Sequence, residues 1–580
     1  MESNLARLFS ITQPNFLPMD RRATLSTLLG HTHAAKALPK TETTVNPPIL
    51  GLAPYKGPFG FEQAAHLLRR ATFGAKYAQI KAAAAKGLKA TMDELFQTLP
   101  LPKPPLNYDY TADPLVPVGS TWIDAAYGRD SGTGSLLHQN YRNISFRTWT
   151  YENILNEGIS IREQLTLFWH NHFGIGDNQD AKFWYQHMVL LRTYAWGNFK
   201  ELIKKINTDP LMLRFLNGNQ NSATAPNENY AREVLELFTI GKGPQAGPGD
   251  YTNYTEQDIK ELAKAFTGWR DQGYNTIDVN TKVGSFFRIS SHDTKVKKLS
   301  PRFDNKEIPN GFDKEHETAI DIIFTKSEVA RFISRKLYRW FVYYDISAEV
   351  EQNVILPMAD ILIQNNYEIK PALQALLQSE HFFDALNIGP MIKNPIDFSL
   401  NFIKQIGCSA FEVADLASRH KALAILYRDV INQQMTYFDP PDVAGWKPYY
   451  QEPAFYRIWI NSTTLKYRMR LTDQLASNTY SVGVKTGLNV LNFAASMPTP
   501  TDPFLLVEDM VSVLLPQSLT DKQLTDLMNA FLSGTPDYEW GTIWTNYTKN
   551  PGNATARASA ETKLRNLVKA ILSLPEYFLS

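Results

Sequence analysis

Apolar residues recur three and four positions apart through most of the chain, which is the pattern of helices with one buried face. The pattern is seen in FEQAAHLLRRATFG (61–74), SIREQLTLFWHNHF (160–173), YTEQDIKELAKAFTGW (254–269) and AIDIIFTKSEVARFISRKLYRWFVYY (319–344). Ser160 with Glu163, and Thr255 with Asp258, have the spacing of a capping box. The sequence therefore predicts a helix beginning at each of these two places.

The period changes between Gly273 and Ile289, where YNTIDVNTKVGSFFRI is rich in β-branched and aromatic residues around a polar middle. This pattern is typical of a β-hairpin. Helical spacing then returns and continues to the end of the sequence. We therefore predict a mainly α fold, a large multi-helix domain with one inserted β-hairpin near residues 273–290 and a helical C-terminal part.

Proline-rich segments divide the chain into three predicted regions. Residues 1–58 contain TETTVNPPILGLAPYKGP, which indicates an N-terminal arm and an extended strap. Residues 59–390 are expected to form the main helical domain, and residues 391–580 a C-terminal helical region with an aromatic loop. Arg21 and Arg22 precede a short apolar patch, an order that resembles a vestigial twin-arginine export signal; the alternative is a mobile arm. The first interpretation predicts a periplasmic or cell-surface protein, the second a cytoplasmic one.

Composition narrows the possible classes of partner and cofactor. The 580 residues include 59 Lys and Arg and 58 Asp and Glu, so the field that attracts nucleic acid is missing at the level of the whole chain. The sequence has no run of about 18 apolar residues that would span a bilayer. Its one cysteine, Cys408, excludes an internal disulfide and a zinc site built from several cysteines. A metal ion would therefore need His, Asp or Glu ligands.

Two histidines one residue apart occur in LTLFWHNHFGIGDNQD (165–180). On a regular helix residues two apart point about 200° apart, so His170 and His172 could bind one ion only if the helix ends between them. Gly174 and Gly176 indicate an end near this point. With Asp177 nearby, the pair would suit zinc, iron or copper. The alternative is that His172 caps the last helix carbonyls while His170 packs inward.

Two carboxylates lie three residues apart in PNENYAREVLELFTIG (226–241). On a helix, Glu233 and Glu236 share the side opposite the apolar face. If that side lines a cleft, the pair could bind an ion or act as general acid and base. Otherwise the two carboxylates are solvated.

A third polar motif, SSHDTKVKKL (290–299), follows the predicted hairpin. His292 beside Asp293 could act as a ligand or an acid–base pair, and Lys297 could hold an anionic group. The alternative is an ordinary polar loop. Motifs of serine hydrolases, P-loop proteins, common zincins and Rossmann folds are missing from the sequence.

Aromatic residues are concentrated in FDPPDVAGWKPYYQEPAFYRIWINSTTL, which begins at Phe438. Trp446, Tyr449 and Tyr450 could form a stacking surface for a sugar or a peptide. Such clusters also form the cores of loops, and that alternative stays open here.

These motifs in this order resemble a large bacterial family of unknown function, the domain-of-unknown-function family numbered eighteen hundred. The resemblance begins at AAHLLRRATFG and runs through REQLTLFWHNHFG, NENYAREVLELFTIG, YTEQDIKELAKAFTGW, HDTKVKKL and VARFISRKLYRWFV to PPDVAGWKPY and WINSTTL. It implies a mostly helical protein, many relatives with export signals, and genes that often lie beside a family related to sulfatases and alkaline phosphatases.

Two hypotheses for function follow. The first is a metal-dependent enzyme in which His170, His172 and His292 bind a divalent transition metal. Its proposed catalytic residues are Glu233, Glu236, Asp293 and Lys297. The second is a non-catalytic partner or scaffold for a sulfatase- or phosphatase-like protein or an extracellular polymer, which it would bind through the loop around Trp446. The sequence does not decide whether the protein is an enzyme.

Overall fold

A computed structural model describes residues 50–176, 180–247 and 250–580. The predicted arm and export signal, including Arg21 and Arg22, lie outside these residues. The end of the proline-rich strap is described and is tied to the body, where the Tyr55 N–H donates to the carbonyl of Gln378 at 2.8 Å.

The described chain is mainly helical, as predicted. The helices of the first half are α1 Phe61–Ala71, α2 Tyr77–Leu95, α3 Gln139–Asn156, α4 Arg162–Phe173, α5 Ala181–Thr193, α6 Phe199–Asn207, α7 Pro210–Phe215, α8 Glu228–Glu233, α9 Glu256–Ala265, α10 Glu315–Ile323 and α11 Ser327–Phe341. Those of the second half are α12 Ala348–Val350, α13 Leu356–Gln364, α14 Ile369–Leu377, α15 Pro395–Ile406, α16 Ser409–Glu412, α17 Leu416–Ile431, α18 Ser462–Ala476, α19 Val490–Ala495, α20 Pro503–Leu514, α21 Asp521–Leu532, α22 Asp537–Lys549 and α23 Ala554–Leu572. Two π-helical segments, Val234–Thr239 and Glu351–Ile355, continue α8 and α12.

The strands form small antiparallel pairs. They are β1 Gly128–Arg129 with β2 Leu136–Leu137, β3 Gln245–Gly247 with β4 Asp250–Tyr251, β5 Trp269–Gln272 with β6 Gly284–Phe287, β7 Lys297–Lys298 with β8 Glu307–Ile308, and β9 Tyr480–Ser481 with β10 Lys485–Thr486. The predicted hairpin is the β5–β6 pair, in which Trp269 lies opposite Phe287. Its first strand begins before Gly273, earlier than the pattern indicated, and the polar middle of the predicted hairpin is its connecting loop.

One of the two predicted capping boxes forms. Thr255 and Asp258 cap α9 reciprocally, with the Thr255 N–H donating to the Asp258 carboxylate at 2.8 Å. The prediction for Ser160 and Glu163 is wrong, because Ile161 is the N-cap of α4 and the Glu163 carboxylate instead binds the Arg192 guanidinium at 2.7 and 2.8 Å. A buried charge pair with two hydrogen bonds outweighs a local cap.

The core is one continuous cluster of buried side chains that extends from α1 to the last described residues. Helix α15 lies inside it, with all twelve of its residues buried, and contacts α3, α17, α18, α19 and α20. The division into regions 59–390 and 391–580 stays a prediction. Among the described helices, none has the length and apolar composition that crossing a bilayer requires.

Candidate functional site

The two histidines of the predicted metal site lie at the end of α4. Both are buried, His170 at 0% exposure and His172 at 1%. The helix does end at Gly174, whose φ is +57°, but it continues through both histidines to Phe173. The expectation that the helix ends between the two imidazoles is therefore wrong, and the rings leave the helix in different directions.

His170 uses one ring nitrogen to hold a distant loop. Its Nε2 accepts the backbone N–H of Phe438 at 3.1 Å, and its ring stacks on Tyr437 with centroids 5.3 Å apart. Burial holds the pKa of this imidazole well below its usual value. His170 is therefore neutral, and the lone pair on Nε2 is occupied by the Phe438 amide.

Both ring nitrogens of His172 form hydrogen bonds with neighbouring groups. Its Nε2–H donates to the carbonyl of Phe238 at 3.0 Å, which leaves Nδ1 to accept from the Lys336 ammonium at 3.2 Å. Burial, followed by the charge of Lys336, holds the pKa of His172 well below its usual value. The imidazole thus caps a carbonyl of the π-helical segment, and not one of its own helix as the capping alternative supposed.

Asn171, between the histidines, completes this arrangement. Its Oδ1 accepts the backbone N–H of Trp446 at 2.9 Å. The preceding Gly445 has φ +93°, and a Cβ there would lie 2.4 Å from the carbonyl oxygen of Asn171. We name residues 170–172 the HNH segment and residues 438–446 the GW loop; the first holds the second through His170 and Asn171.

The predicted carboxylate pair lies beside the same loop. Glu233 is partly buried, and its pKa is raised by burial and by the nearby charges of Glu236 and Asp442 in the GW loop. Glu236 accepts the hydroxyl of Tyr254 at 2.8 Å and lies 3.6 Å from the Lys242 ammonium. Glu236 is thus bound by Tyr254 and Lys242, whereas Glu233 lies partly buried near the negative charges of Glu236 and Asp442.

The third predicted motif forms a separate buried cluster. His292 Nε2 lies 3.0 Å from Glu315 Oε2, and Lys297 forms an ion pair with the other oxygen of Glu315. Lys297 also lies 3.6 Å from the Asp293 carboxylate, and His292 Nδ1 is 2.9 Å from the carbonyl of Thr267. Sequence reasoning missed Glu315, because it lies on α10 outside the motif.

The predicted histidines do not meet around one point. Across residues 50–176, 180–247 and 250–580, no group of three or more His, Cys, Asp or Glu side chains is placed to hold a metal ion. Asp177 lies outside the described residues. The metal site therefore stays a prediction.

The predicted aromatic surface is divided between core and surface. Trp446 is 2% exposed and packs edge-on against His170, so the core alternative describes it better. Tyr450 is 37% exposed. Tyr449 is partly exposed. Its ring stacks on Trp340, with the ring centroids 4.5 Å apart, and its hydroxyl accepts a hydrogen bond from Asn394 at 3.2 Å.

Tyr449 and Trp340 line a cavity of about 40 Å³ whose wall is strongly cationic. Arg69 and Arg70 come from α1, Lys393 precedes α15, and Asp397 lies on the first turn of α15. Arg468 of α18 lies behind Lys393 and donates to its carbonyl at 2.9 Å. We call this cavity and these five charged residues the cationic chamber.

The cations of the chamber bind mainly neutral oxygens. Arg69 donates to the carbonyl of Leu515 at 2.9 Å. Arg70 donates to carbonyls of Phe341 and Val342 at 2.9 and 2.8 Å, and to the carbonyl and hydroxyl of Ser580. Carbonyl dipoles lower the cost of burying a cation but do not neutralise its charge. The helix ends at Phe341 and at Leu514 are thereby capped from α1.

Four cations surround one carboxylate in the chamber. Arg69, Arg70, Lys393, Arg468 and Asp397 are each less than 10% exposed. Asp397 Oδ1 makes no hydrogen bond to a described residue, and the same holds for Nε and Nη1 of Arg468. A further carboxylate at Ser580 would still leave the chamber with more positive than negative charge.

Burial alters the acidity of these groups. It lowers the pKa of Arg69 and Arg70 to about 10 and that of Arg468 to about 9, so all three guanidinium groups stay charged at neutral pH. Burial also lowers the pKa of Lys393 and raises that of Asp397, each opposed by the charge of the other. The chamber is therefore positive at neutral pH and becomes more positive as the pH falls.

The comparisons with known proteins identify the family. A family model described as "Protein of unknown function (DUF1800)" matches residues 66–579. The chain belongs to this family. Searches of curated proteins and of solved structures returned no match. The matched region of this DUF1800 chain includes the HNH segment, the GW loop and almost all of the cationic chamber.

Proposed function

We propose that this DUF1800 protein binds a small anionic group in the cationic chamber. The observation that supports the proposal is the excess of charge: three buried cations and one carboxylate line the cavity, and a fourth buried cation, Arg468, lies behind Lys393. Burying an uncompensated charge costs several kcal/mol, whereas a bound anion would offset that cost. Guanidinium and ammonium groups are the side chains that recognise carboxylate, phosphate and sulfate.

The size of the chamber limits what can enter it. A cavity of about 40 Å³ has room for a few water molecules or for one small oxyanion, so a larger ligand would insert only its anionic end. Tyr449, with its ring against Trp340, and Asn394 add polar groups at the wall. The chamber thus suits the anionic end of a metabolite or a free oxyanion, and it does not require a metal ion.

Thermal unfolding with added anions tests the proposal. Sulfate, inorganic phosphate and acetate are titrated separately against chloride at equal ionic strength. At least one of them should raise the unfolding temperature, because a ligand at 100 times its Kd stabilises the folded state by about 2.7 kcal/mol. If none stabilises the protein more than chloride does, the proposal is wrong.

Variants locate the binding. Lys393→Met keeps the side-chain volume but removes one cation and should reduce the anion effect at least about tenfold in affinity. Lys89→Met is the matched control, because the Lys89 side chain is 88% exposed and pairs with the exposed Asp93. Equal anion binding by Lys393→Met and the native protein would contradict the proposal.

The metal-dependent enzyme stays a prediction beside this proposal. Zinc, iron or copper measured in the purified protein, and lost in His170→Ala, would support it. A purified protein that contains no stoichiometric metal would contradict it. The partner role, for a sulfatase- or phosphatase-like protein, is tested by co-purification with and without Trp446→Ala. Export to the periplasm or cell surface, predicted from Arg21 and Arg22, is tested by fractionating cells.

A further inference from the structure

A second cavity shares no lining residue with the cationic chamber. Its volume is about 460 Å³, and it opens between the loop before α3, the first turns of α3 and helix α17. The residues that give it character are Tyr110, Tyr141, His138, His420, Asp109 and Lys421. We call it the aromatic groove.

Paired rings form its walls. Tyr110 stacks on Tyr141 with centroids 4.5 Å apart and planes 13° apart, and Tyr108 stacks in the same way on His420 at 4.4 Å. Ile144 and Ala424 supply apolar surface beside them. A flat apolar face flanked by polar groups is therefore available to a ligand with one apolar face.

The two imidazoles are neutral hydrogen-bonding groups. Burial lowers the pKa of both His138 and His420, so neither is charged at neutral pH. The hydroxyl of Thr148 lies 2.9 Å from the carbonyl of Ser145, to which it donates, and so it accepts Nδ1–H of His420 at 2.7 Å. That bond leaves the lone pair of His420 Nε2 available to accept from a ligand hydroxyl.

His138 is held in an unusual way. Its backbone φ is +75°, and its Nδ1 is buried with no hydrogen bond to any residue that the structure describes. The side chain is 4% exposed. Gly128 makes room for it, because a Cβ there would lie 2.8 Å from His138 Nε2. Backbone strain and an unused buried nitrogen are both features that occur at binding sites.

The groove carries no excess charge. Asp109 and Lys421 are both exposed at its rim and have opposite signs, and the imidazoles add none. The cationic chamber, by contrast, is positively charged. An anionic ligand would therefore find no net electrostatic attraction in the aromatic groove. From the stacked rings, the position of His420 and the balanced rim, we propose that the aromatic groove binds a neutral carbohydrate, with a sugar ring packed on Tyr110 and a hydroxyl group bonded to His420.

Saturation-transfer NMR tests this inference. The probes are the methyl glycosides of glucose, galactose, mannose and N-acetylglucosamine, each at millimolar concentration, with indole as a purely aromatic probe. At least one glycoside should receive saturation from the native protein. Tyr110→Ala should weaken its binding about tenfold, because it removes the ring on which the sugar packs.

Three further variants make the result specific. Tyr110→Phe keeps the ring and should retain binding, while Tyr538→Ala, which removes a tyrosine that is 76% exposed elsewhere, should have no effect. Lys393→Met should also leave it unchanged, so that failure of the anion proposal and failure of this one are distinguishable. The inference is overturned if no glycoside binds, if binding survives Tyr110→Ala, or if indole alone binds at the groove.

Discussion

The side-chain oxygen of Asn171 accepts the backbone N–H of Trp446, a residue 275 positions further along the chain, at 2.9 Å. Next to it, His170 accepts the N–H of Phe438, and His172 donates to the carbonyl of Phe238. Each residue of the HNH segment therefore binds backbone from another part of the molecule. The GW loop is therefore bound by the end of α4 through His170 and Asn171.

Removal of the Asn171 side chain should loosen the GW loop. In Asn171→Ala the buried N–H of Trp446 loses its acceptor, which costs about 1–3 kcal/mol in the free energy of unfolding. Urea unfolding measures the loss, and limited proteolysis within residues 438–446 should be faster. Asn546→Ala, at an exposed helix position, is the control and should change stability by less than about 0.5 kcal/mol. A stable, protease-resistant Asn171→Ala protein would show that the loop is held by other contacts.

Gly445 should tolerate no side chain. In Gly445→Ala the new Cβ would lie 2.4 Å from the carbonyl oxygen of Asn171, and the alanine would have to adopt a positive φ. Gly534 separates these two effects, because its φ is +80° but nothing lies within 4 Å of a Cβ there. We expect Gly534→Ala to cost about 1 kcal/mol and Gly445→Ala at least about 2 kcal/mol more, measured by thermal unfolding. Equal losses would mean that the loop moves away without cost.

The sequence predicts elements of this fold better than it predicts partners. Helical spacing predicts the helices because it records which face of each is buried, and Gly174 was identified as a helix end because its signal is local. The Ser160–Glu163 cap failed because Arg192, 29 positions away, takes the carboxylate. Spacing along the chain contains no information about such a partner.

The same limit applies to the candidate sites. His292, Asp293 and Lys297 were recognised as a polar motif, but Glu315, which joins them, lies on another helix. Arg69 and Arg70 stand in a helix whose apolar face was predicted, and nothing in that pattern shows that both guanidinium groups are buried. The cationic chamber exists only after α1, α15 and α18 pack together.

Glu315 should be essential to the buried cluster around His292. Glu315→Gln keeps the shape but leaves Lys297 buried without its main counter-charge, which typically costs about 3–5 kcal/mol. Glu317→Gln on the same helix is the matched control, because its partner Lys314 is largely exposed and a surface pair contributes at most about 1 kcal/mol. Chemical denaturation of the two variants gives the comparison. Similar losses would show that the cluster is not a charge-dependent element of the core.

His172 should make the protein sensitive to acid. Its folded pKa lies well below its unfolded value, so the unfolded chain binds more protons below about pH 6.5. Its contribution to stability is complete above that pH and is lost on acidification by about 1.4 kcal/mol per pH unit. In His172→Gln the difference in unfolding free energy from the native protein should shrink by this slope from pH 6.5 towards pH 5. A constant difference across the range would contradict the buried, neutral state of His172.

Anion binding in the cationic chamber should weaken as the pH rises. Burial raises the pKa of Asp397 and lowers that of Lys393, so a rise in pH adds a negative charge at the first and removes a positive charge at the second. Sulfate is the suitable probe, because its own charge is constant from about pH 5 to about pH 9. Its Kd, from calorimetric titration, should increase over that range. Asp397→Asn should bind sulfate more tightly than the native protein near neutral pH and with a smaller pH dependence, because one of the two titrating groups is gone. Tighter binding at high pH, or an unchanged profile in Asp397→Asn, would show that sulfate binds outside the chamber.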